Sequence, residues 1–445
     1  MNETKTYQKE GIIHYGSGGE VNRRQITNDP NKLYTIYDEF DIRDYYKMMK
    51  EGIYQEIEDG IIFQIKRFIE GLLECQVEEL CNARYYRHSE KRKDYRNGYR
   101  KRGLLTSYGK IILKIPRVRL GSIGKGILER YRRISKKIEK LIMEMFFNGV
   151  SVREIKKVLK RMVGKDYYYI SPQTVSNITK KLNEEITKWH NRAIKDEYPI
   201  IYLDGVYLKV RSPIKSKRRC VLVCMGIDLE GRSKILGYKI ASYGESENAW
   251  ISFINELYQR GLEGRNIDIC IIDGNSGLKN AINFIWPNAK IQRCWAHKIR
   301  NVLSYVGLRY KEECGNDLRK IYNARNIKGA IENFKEFKEK WGSLYPKAVN
   351  CLEKDLEELL LFYEYDERYW KLIRTTNKIE RVFREVRRRT NNIGAFTNVS
   401  SLERIIYYKF NEYNEKADER KRIKLDKFSK KSINISNPIY TQILT

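Results

Sequence analysis

The sequence predicts an α/β fold whose central part alternates strands with helices. Three strand-like apolar segments follow one another at 200–210, 220–227 and 235–240. A continuously apolar run at 267–272 is typical of a central strand buried on both faces of a sheet. Apolar residues with helical spacing lie on both sides of that run. Together these observations predict a mixed sheet covered by helices.

The elements of this region follow a recognisable order. Asp228-Leu-Glu-Gly231 predicts a hairpin turn between the second and third strands. The helix after the third strand has its apolar face at Trp250, Phe253, Ile254, Leu257 and Tyr258. A second helix spans 278–285 and ends before Pro287, and 289–295 is predicted as a fifth strand. Three strands, a helix, a strand, a helix and a strand is the order of the ribonuclease-H-like fold.

Upstream, three short amphipathic helices are predicted between residues 135 and 188. Ser151-Val-Arg-Glu154 is a capping box for the second helix, and Ser171-Pro172 opens the third. The apolar stripes are Ile138, Leu141, Ile142 and Met145; Ile155, Val158 and Met162; and Val175, Ile178 and Leu182. The pattern favours a helix-turn-helix unit, although any three-helix bundle would share it. Side chains of the third helix that could read base edges are Gln173, Thr174, Ser176, Asn177 and Lys180.

The charge of the chain favours a polyanionic partner. Its 445 residues include 87 Lys and Arg against 57 Asp and Glu, a net charge of +30. Because Lys and Arg release counterions when they bind phosphates, this excess favours nucleic acid. Ribosome-associated and anionic-membrane proteins are also basic, so charge alone does not decide. The eight scattered cysteines predict reduced thiols in a cytosolic protein.

The most basic segment, 84–102, interleaves Arg and Lys with tyrosines that could stack on bases, namely Tyr85, Tyr86, Tyr95 and Tyr99. Arg96 and Arg100 are candidate DNA contacts within it. The alternative is a solvated run of charge. The following segment, 110–119, is predicted to be a strand at the edge of a sheet, because a proline such as Pro116 is tolerated there.

Three acidic residues stand out because they lie in or beside apolar runs. Asp204 falls in the first strand, Asp273 closes the central strand, and Glu380 lies on an amphipathic helix after a long helical block. Carboxylates near the ends of apolar strands are costly unless they are paired. Each acid alone could simply cap a turn. Their order on this strand pattern instead predicts one shared site, with Asp204 and Asp273 on neighbouring strands.

Convergence of these acids would call for a cation. Two carboxylates about 4 Å apart repel by roughly 4 kcal/mol at an effective dielectric of 20, so one would bind a proton or a metal would bind. Oxygen ligands suit Mg²⁺, with Mn²⁺ as a substitute. Two such ions can activate a water or a DNA 3′-hydroxyl and stabilise the leaving oxygen. On this basic chain, the acids predict a metal-dependent enzyme that cuts or joins nucleic acid.

Cys294 and His297 form a second constellation. Their spacing resembles half of a zinc site, but no second pair of ligands is evident, so we do not expect zinc. We expect the two residues to support the acidic site through local hydrogen bonds.

Several of these stretches resemble the mutator-type bacterial insertion-sequence transposases of the DDE superfamily. They are Tyr202-Leu-Asp-Gly-Val-Tyr-Leu-Lys-Val-Arg211, Asp273-Gly-Asn-Ser-Gly-Leu-Lys-Asn-Ala-Ile282, Gln292-Arg-Cys-Trp-Ala-His-Lys-Ile-Arg-Asn301 and Ile373-Arg-Thr-Thr-Asn-Lys-Ile-Glu-Arg-Val-Phe-Arg-Glu-Val-Arg-Arg-Arg-Thr390. The shorter stretches Arg96-Asn-Gly-Tyr-Arg100 and Ile115-Pro-Arg-Val-Arg119 also match. The resemblance covers about residues 60–410.

The resemblance implies that Asp204, Asp273 and Glu380 are the catalytic triad. Cys294 and His297 would then match the family's Cys-x-x-His signature. The implied reaction is Mg²⁺-dependent cleavage of double-stranded DNA at the terminal inverted repeats, followed by transfer of the 3′ ends to target DNA. Because two ends must be joined, a homodimer or larger assembly is expected.

These interpretations divide the chain into six segments. They are a poorly structured segment at 1–40, a basic DNA-binding or dimerisation region at 41–134, a helix-turn-helix-like domain at 135–195, a ribonuclease-H-like core at 196–295 and 371–410, an all-helical insertion at 296–370, and a basic tail at 411–445. The tail is expected to be mobile from about Asp418.

The helix that carries Glu380 also carries candidate DNA contacts. Arg384, Arg387 and Arg388 follow Glu380 on roughly the same face. They could instead form salt bridges on a solvated helix, each worth about 0.3–0.5 kcal/mol. Arg374 and Asn377, just before this helix, are candidate contacts with phosphates or element ends.

Two other functions remain open. One is a non-catalytic, sequence-specific DNA-binding protein, and the other is a Mg²⁺-dependent nuclease without strand transfer. No apolar run approaches the roughly 20 residues of a membrane span, and the first thirty residues have no signal-peptide pattern. Together with the resemblance to bacterial transposases, these absences lead us to expect a bacterial cytoplasmic protein associated with the nucleoid.

Overall fold

The computed structural model describes residues 57–84, 90–128, 133–163, 170–211, 217–242, 244–420 and 422–425, with a few residues at 46–51 and Phe428. The chain forms two compact units, residues 1–178 and 179–445. The predictions for residues 1–40, for Tyr85 and Tyr86, and for the tail beyond Phe428 lie outside the described residues.

The first unit contains a helix that packs on a two-stranded antiparallel sheet. Helix α1 spans Ile57–Cys81, β1 spans Arg96–Thr106 and β2 spans Gly109–Val118. Alternate residues of β2 are buried against Leu73 of α1, namely Ile111, Leu113 and Ile115. The strand expected around Pro116 is therefore present, at the edge of a small sheet.

The three predicted helices of the first unit are present as α2 (Lys136–Phe147), α3 (Val152–Val163) and α4 (Pro172–Lys180). The capping box of α3 is formed, since the Glu154 amide donates to Ser151 Oγ at 3.2 Å and the Ser151 amide donates to Glu154 Oε2 at 3.0 Å. These bonds satisfy amides that the first helical turn cannot pair internally.

One predicted stripe is wrong. Val158 and Met162 are 38% and 50% exposed, whereas Ile155 and Leu159 are fully buried. The segment has apolar residues at both i+3 (Val158) and i+4 (Leu159) from Ile155, and the packing of the bundle buries Leu159. Leu182 also leaves its predicted stripe, because a separate helix, α5 (Leu182–Asn191), begins there.

The second unit contains a five-stranded mixed sheet. Its elements in chain order are β3 (Ile200–Val210), β4 (Lys217–Ile227), β5 (Ser233–Ala241), α6 (Glu247–Gln259), β6 (Ile269–Ile272), α7 (Ser276–Ile285) and β7 (Lys290–Arg293). The strand order is β5-β4-β3-β6-β7. The first three strands are antiparallel, and β3, β6 and β7 are parallel. The predicted succession of strands and helices, and hence the mixed α/β class, is confirmed.

Helices α6 and α7 cover one face of this sheet. Their apolar residues join alternate strand residues in one core, which includes Ile201, Leu203, Cys270, Trp250 and Leu278. The side chains of β3 alternate between the two faces, so the residues between those in this core face the other way.

Most of the described chain after β7 is helical. The α-helices are α8 (Trp295–Ser304), α9 (Lys311–Tyr322), α10 (Ile327–Gly342), α11 (Pro346–Glu353), α12 (Leu356–Leu360), α13 (Glu367–Ile373), α14 (Asn377–Thr390) and α15 (Val399–Glu415). The helical content expected for 296–370 is therefore present. No helix in the described ranges combines the length and apolarity needed to cross a bilayer.

Leu425 and Phe428 in the tail are packed, so the prediction of a mobile tail from Asp418 is wrong at these two residues. The Leu425 amide donates to the Leu229 carbonyl at 2.8 Å, and Leu425 is 2% exposed. The ring of Phe428 stacks on Tyr365 with 4.9 Å between centroids. Apolar residues placed among the charges of the tail provide this attachment, which the charge run alone does not reveal.

Candidate active site

Asp204 and Asp273 lie level with each other on neighbouring parallel strands. The last paired residues of β3 and β6 are Tyr202 and Ile271. Asp204 and Asp273 each come two residues later in the chain. Asp204 is in the interior of β3, within the strand predicted at 200–210. Because β6 stops at Ile272, Asp204 nevertheless lies just beyond the paired part of that neighbour.

The Asp204 carboxyl group is buried, with the residue only 7% exposed. Burial raises its pKa well above the usual range, and the nearby charge of Asp273 raises it further, with smaller contributions from Glu245 and Glu380. Its Oδ1 accepts a hydrogen bond from the Gly205 amide at 2.7 Å. Four acidic residues therefore act on one region of the sheet, where a proton or a cation would relieve their repulsion.

Asp273 begins the turn between β6 and α7. Its Oδ1 accepts from the Asn275 amide at 3.1 Å. Gly274 has φ +106°, a conformation that favours glycine, and lets the chain reverse within this turn. The Asn275 side-chain oxygen accepts from the Leu278 amide and caps α7. The turn thus fixes the direction of the Asp273 carboxylate at the end of the strand.

Glu380 is in the first turn of α14, which packs near β3. Its Oε1 lies 2.7 Å from Nε2 of His297 and 3.0 Å from Nη2 of Arg300. Burial by itself would raise the pKa of Glu380, but the hydrogen bonds and charges of His297 and Arg300 outweigh it and hold the pKa below the usual value. Glu380 is therefore kept as a carboxylate by two residues of α8.

Cys294 connects α8 to the segment that precedes α14. Its Sγ accepts from the amide of Thr376 at 3.2 Å and from the Thr376 hydroxyl at 3.3 Å. The Trp295 amide donates to the Arg374 carbonyl at 3.1 Å. Cys294 therefore holds the start of α14, while His297, one turn further along α8, contacts Glu380 itself.

The acids share one region without forming a closed ligand set. Among the described residues, no three His, Cys, Asp or Glu side chains lie close enough together to hold a metal ion as they stand. The carboxylate of Glu380 is turned toward His297 and Arg300. In donor chemistry, however, these mutually repelling carboxylates, of which that of Asp204 is buried, fit a hard divalent cation such as Mg²⁺.

The predicted DNA contacts on α14 differ in their surroundings. Arg384, Arg387 and Asn377 are exposed. Arg388 is also exposed and forms an ion pair with Glu385 at 3.0 Å. The guanidinium of Arg374 instead lies over the ring of Tyr322 and donates to the Tyr322 carbonyl at 3.1 Å, so it is occupied within the protein.

On α4 of the first unit, Gln173, Asn177 and Lys180 are exposed, while Thr174 and Ser176 are half-buried. The Gln173 side-chain amide donates to Asn177 Oδ1 at 2.8 Å. The Thr174 hydroxyl lies 2.9 Å from that of Ser171 at the start of the helix. The three exposed side chains are therefore the accessible part of the predicted reading surface.

In the sheet of the first unit, Arg100 is exposed. Arg96 is half-buried and lies 3.7 Å from Glu74 and 3.9 Å from Glu78. Arg100 is thus the more accessible of the two predicted contacts.

Sequence reasoning missed Glu245 and Arg300. Glu245 lies between β5 and α6, in a polar loop without an apolar pattern to mark it. A signal was present in Gly205, because a glycine inside a strand often marks a close approach by another group. A Cβ at Gly205 would lie only 2.4 Å from Glu245 Oε1.

Comparison with known proteins places the chain among transposases. The family model described as "Transposase, Mutator family" matches residues 41–419. The chain is 34% identical to the transposase for insertion sequence element IS905 of Lactococcus lactis, over 73% of this chain and 81% of the relative. It is 31% identical to the transposase for ISRM5 of Rhizobium meliloti, over 78% and 86%. It is 32% identical to the transposase for IS256 in transposon Tn4001 of Staphylococcus aureus, over 75% and 85%. The chain therefore belongs to the Mutator family of transposases.

Proposed function

We propose that this chain is the DNA transposase of an insertion sequence, and that Asp204, Asp273 and Glu380 are its catalytic, metal-binding acids. It would bind the terminal inverted repeats of its element, cleave DNA strands there and join the 3′ ends to target DNA. The observation that carries this proposal is the level placement of Asp204 and Asp273 on adjacent parallel strands, with Glu380 close enough to raise the pKa of Asp204.

The strand order supports a ribonuclease-H-like core for this site. Three antiparallel strands followed by two parallel strands, with the first strand of the unit in the centre, give the order β5-β4-β3-β6-β7. A helical block then precedes α14, as the proposed insertion requires. This arrangement brings residues from distant parts of the chain to one edge of the sheet.

The donor set supports Mg²⁺, with Mn²⁺ as its substitute. Bound at these carboxylates, such ions would supply an activated water or 3′-hydroxyl and stabilise charge on the leaving oxygen. The residues themselves bind and orient: the backbone fixes Asp204 and Asp273, and α8 holds Glu380 ionised. The raised pKa of Asp204 means that the metal-free site favours a proton there, which a cation would displace.

The basic face of α14 supports DNA as the substrate. Arg384 and Arg387 are exposed and continue from Glu380 along its helix. Guanidinium groups near a reacting phosphate would hold the scissile strand and offset its charge. Joining two element ends requires two such sites, so we also propose a homodimer or a larger assembly on DNA.

The proposal is tested with Asp204→Asn, Asp273→Asn and Glu380→Gln, assayed on DNA carrying the ends of the parent element. We expect each variant to bind the ends in gel shifts but to lose Mg²⁺-dependent cleavage and strand transfer. Glu357→Gln, at an exposed position of α12, is the matched control and should keep activity. Normal strand transfer by any of the three variants would remove that residue from the triad.

Two rival functions give different results in the same assays. A non-catalytic DNA-binding protein would shift the ends but cleave nothing in Mg²⁺ or Mn²⁺. A nuclease would cleave the ends but would form no joined product when given a pre-cleaved 3′-hydroxyl end and target DNA.

A further inference from the structure

Glu245 is the fourth acidic residue at the site, and the fold brings it against the strand that carries Asp204. It lies in the loop between β5 and α6 and is half-buried. Its carboxylate occupies the space beside Gly205, where a Cβ would meet Oε1 at 2.4 Å and the carboxyl carbon at 2.8 Å. Glycine at this position therefore makes room for the Glu245 side chain.

Both carboxylate oxygens of Glu245 accept hydrogen bonds from the protein. Oε1 accepts from the thiol of Cys220, on the neighbouring strand β4, at 3.4 Å. Oε2 accepts from Nδ2 of Asn275 at 3.3 Å, and so does the backbone carbonyl of Glu245 at the same distance. One residue thus connects the sheet to the turn after β6.

Asn275 carries this connection to Asp273. Its amide donates to Asp273 Oδ1 at 3.1 Å, and its side-chain oxygen caps α7 through the Leu278 amide. The side chain of Asn275 therefore faces Glu245 with its nitrogen and α7 with its oxygen. A displacement of Glu245 would release one side of the turn that orients Asp273.

We propose that Glu245 is a positioning residue that sets the separation of Asp204 and Asp273 by bracing the Asp273 turn against the Asp204 strand. The proposal rests on the proposed function, in which those two acids bind the metal. Glu245 acts through hydrogen bonds and close packing at Gly205, so its shape and acceptor atoms matter more than its charge.

The test compares Glu245→Gln, Glu245→Ala and Asn275→Ser in the full-length protein. Gln keeps the shape and an acceptor, whereas Ala removes both. Ser at 275 can still cap α7 but cannot reach Glu245 with a donor. Mn²⁺ binding is measured on DNA-free protein from the free-Mn²⁺ electron paramagnetic resonance signal, and strand cleavage is measured in parallel. Thermal unfolding establishes that each variant is folded.

We expect Glu245→Ala and Asn275→Ser to weaken Mn²⁺ binding and slow cleavage by about 10- to 100-fold, the range typical of residues that orient metal ligands. Glu245→Gln should stay within about threefold of wild type. Glu247→Ala is the matched control, since Glu247 is exposed and contacts Asn280 on α7. It should behave like wild type.

Gly205→Ala supplies an independent arm. Its methyl group would displace Glu245 and would also meet Cys220 Sγ at 2.9 Å, so this variant should lose at least as much as Glu245→Ala. In the double variant Gly205→Ala/Glu245→Ala the clash with Glu245 is absent, so the combined loss should be smaller than the sum of the two single losses. Fully additive losses would contradict the proposed contact.

Two results would overturn the inference. If Glu245→Gln were as damaging as Asp204→Asn, Glu245 would be a direct ligand, and if Glu245→Ala and Asn275→Ser both matched wild type, the brace would have no role. Asp204→Asn and Asp273→Asn are run alongside. If Asp204→Asn and Asp273→Asn both bound Mn²⁺ normally, the proposed function would fail. If only the Glu245 and Asn275 variants did so, the positioning role of Glu245 alone would fail.

Discussion

Nε2 of His297 lies 2.7 Å from Oε1 of Glu380, although 83 residues separate them. This contact joins the helix that opens the helical block, α8, to the helix that follows the block, α14. The third acid of the proposed triad is thus held by α8, while the first two are held by the sheet.

Removing the imidazole should impair catalysis. We expect His297→Ala to reduce the rate of strand cleavage by about 10- to 100-fold, because Glu380 loses the partner that orients it. Arg300→Ala should have a smaller effect, since the Arg300 side chain is 62% exposed and exposed ion pairs are weak. Cleavage rates under single-turnover conditions check both. A larger loss for Arg300→Ala would reverse the assigned order of importance.

The interaction of Glu380 should disappear in acid. Its pKa is held below the usual 4.5, so its contribution to folding stability is present above about pH 4.5 and is lost as the pH falls through its lower, folded-state pKa. In metal-free buffer, the stability difference between wild type and Glu380→Gln should be constant near neutral pH and shrink in acid. Urea unfolding from pH 3 to pH 7 measures this. A difference that grew in acid would contradict the direction of the shift.

Asp204 should behave in the opposite way. Burial and the charge of Asp273 raise its pKa, so ionisation opposes folding when no cation is bound. The contribution of Asp204 to folding stability is fully present below its usual pKa of 3.8. It is lost as the pH rises through the higher pKa of Asp204 in the folded state. Asp204→Asn should therefore raise the thermal unfolding temperature of the metal-free protein more at pH 8 than at pH 5. Added Mn²⁺ should stabilise wild type but not this variant.

Cys294→Ala should destabilise the second unit. Thr376 is fully buried, and without the Cys294 sulfur its amide and hydroxyl both lose their acceptor. Buried unpaired donors cost about 1–3 kcal/mol. Cys224→Ala, at a buried position of β4, removes a similar volume and serves as the control. We expect Cys294→Ala to lower the free energy of unfolding in urea by about 1 kcal/mol more than the control does.

Arg387 on α14 and Arg374, just before this helix, should contribute differently to the salt dependence of DNA binding. Arg387→Gln should weaken DNA binding and reduce the slope of log affinity against log salt by about one, as expected for one lost phosphate contact. Arg374→Gln should leave the slope unchanged and lower thermal stability, because Arg374 stacks on Tyr322. Fluorescence anisotropy between 50 and 300 mM salt provides the slopes. Equal slopes for Arg387→Gln and wild type would remove Arg387 from the interface.

The sequence predicted the sheet well because burial leaves a clear periodic pattern. The strand expected at 200–210 has those same bounds, and the hairpin turn at Asp228–Gly231 is formed. Neighbouring strands also implied that Asp204 and Asp273 are close. Where two apolar patterns overlapped, as at Val158 and Leu159, periodicity could not choose, since only tertiary packing decides between i+3 and i+4.

The parts that sequence could not predict depend on contacts between distant loops. Glu245 lies in a polar loop, and its importance follows from the gap at Gly205 and from the side chain of Asn275. His297 was predicted to support the acidic site, but its contact with Glu380 and the role of Arg300 were hidden, because nothing in the pattern of α8 shows which of its residues face α14. The contact of the Arg374 guanidinium with Tyr322 was also hidden, because it depends on how the helical block packs against the segment before α14.

The distance in sequence between Asp273 and Glu380 has a consequence during synthesis of the protein. A ribosome completes the segments that carry Gln173, Asp204 and Asp273 well before it reaches Glu380. A chain released within the helical block would hold the proposed DNA-reading helix and two acids but lack the third. If the proposed DNA-reading helix binds element ends, such shortened chains would occupy those ends without the third acid needed to cut them, and a decaying element would restrain its intact relatives.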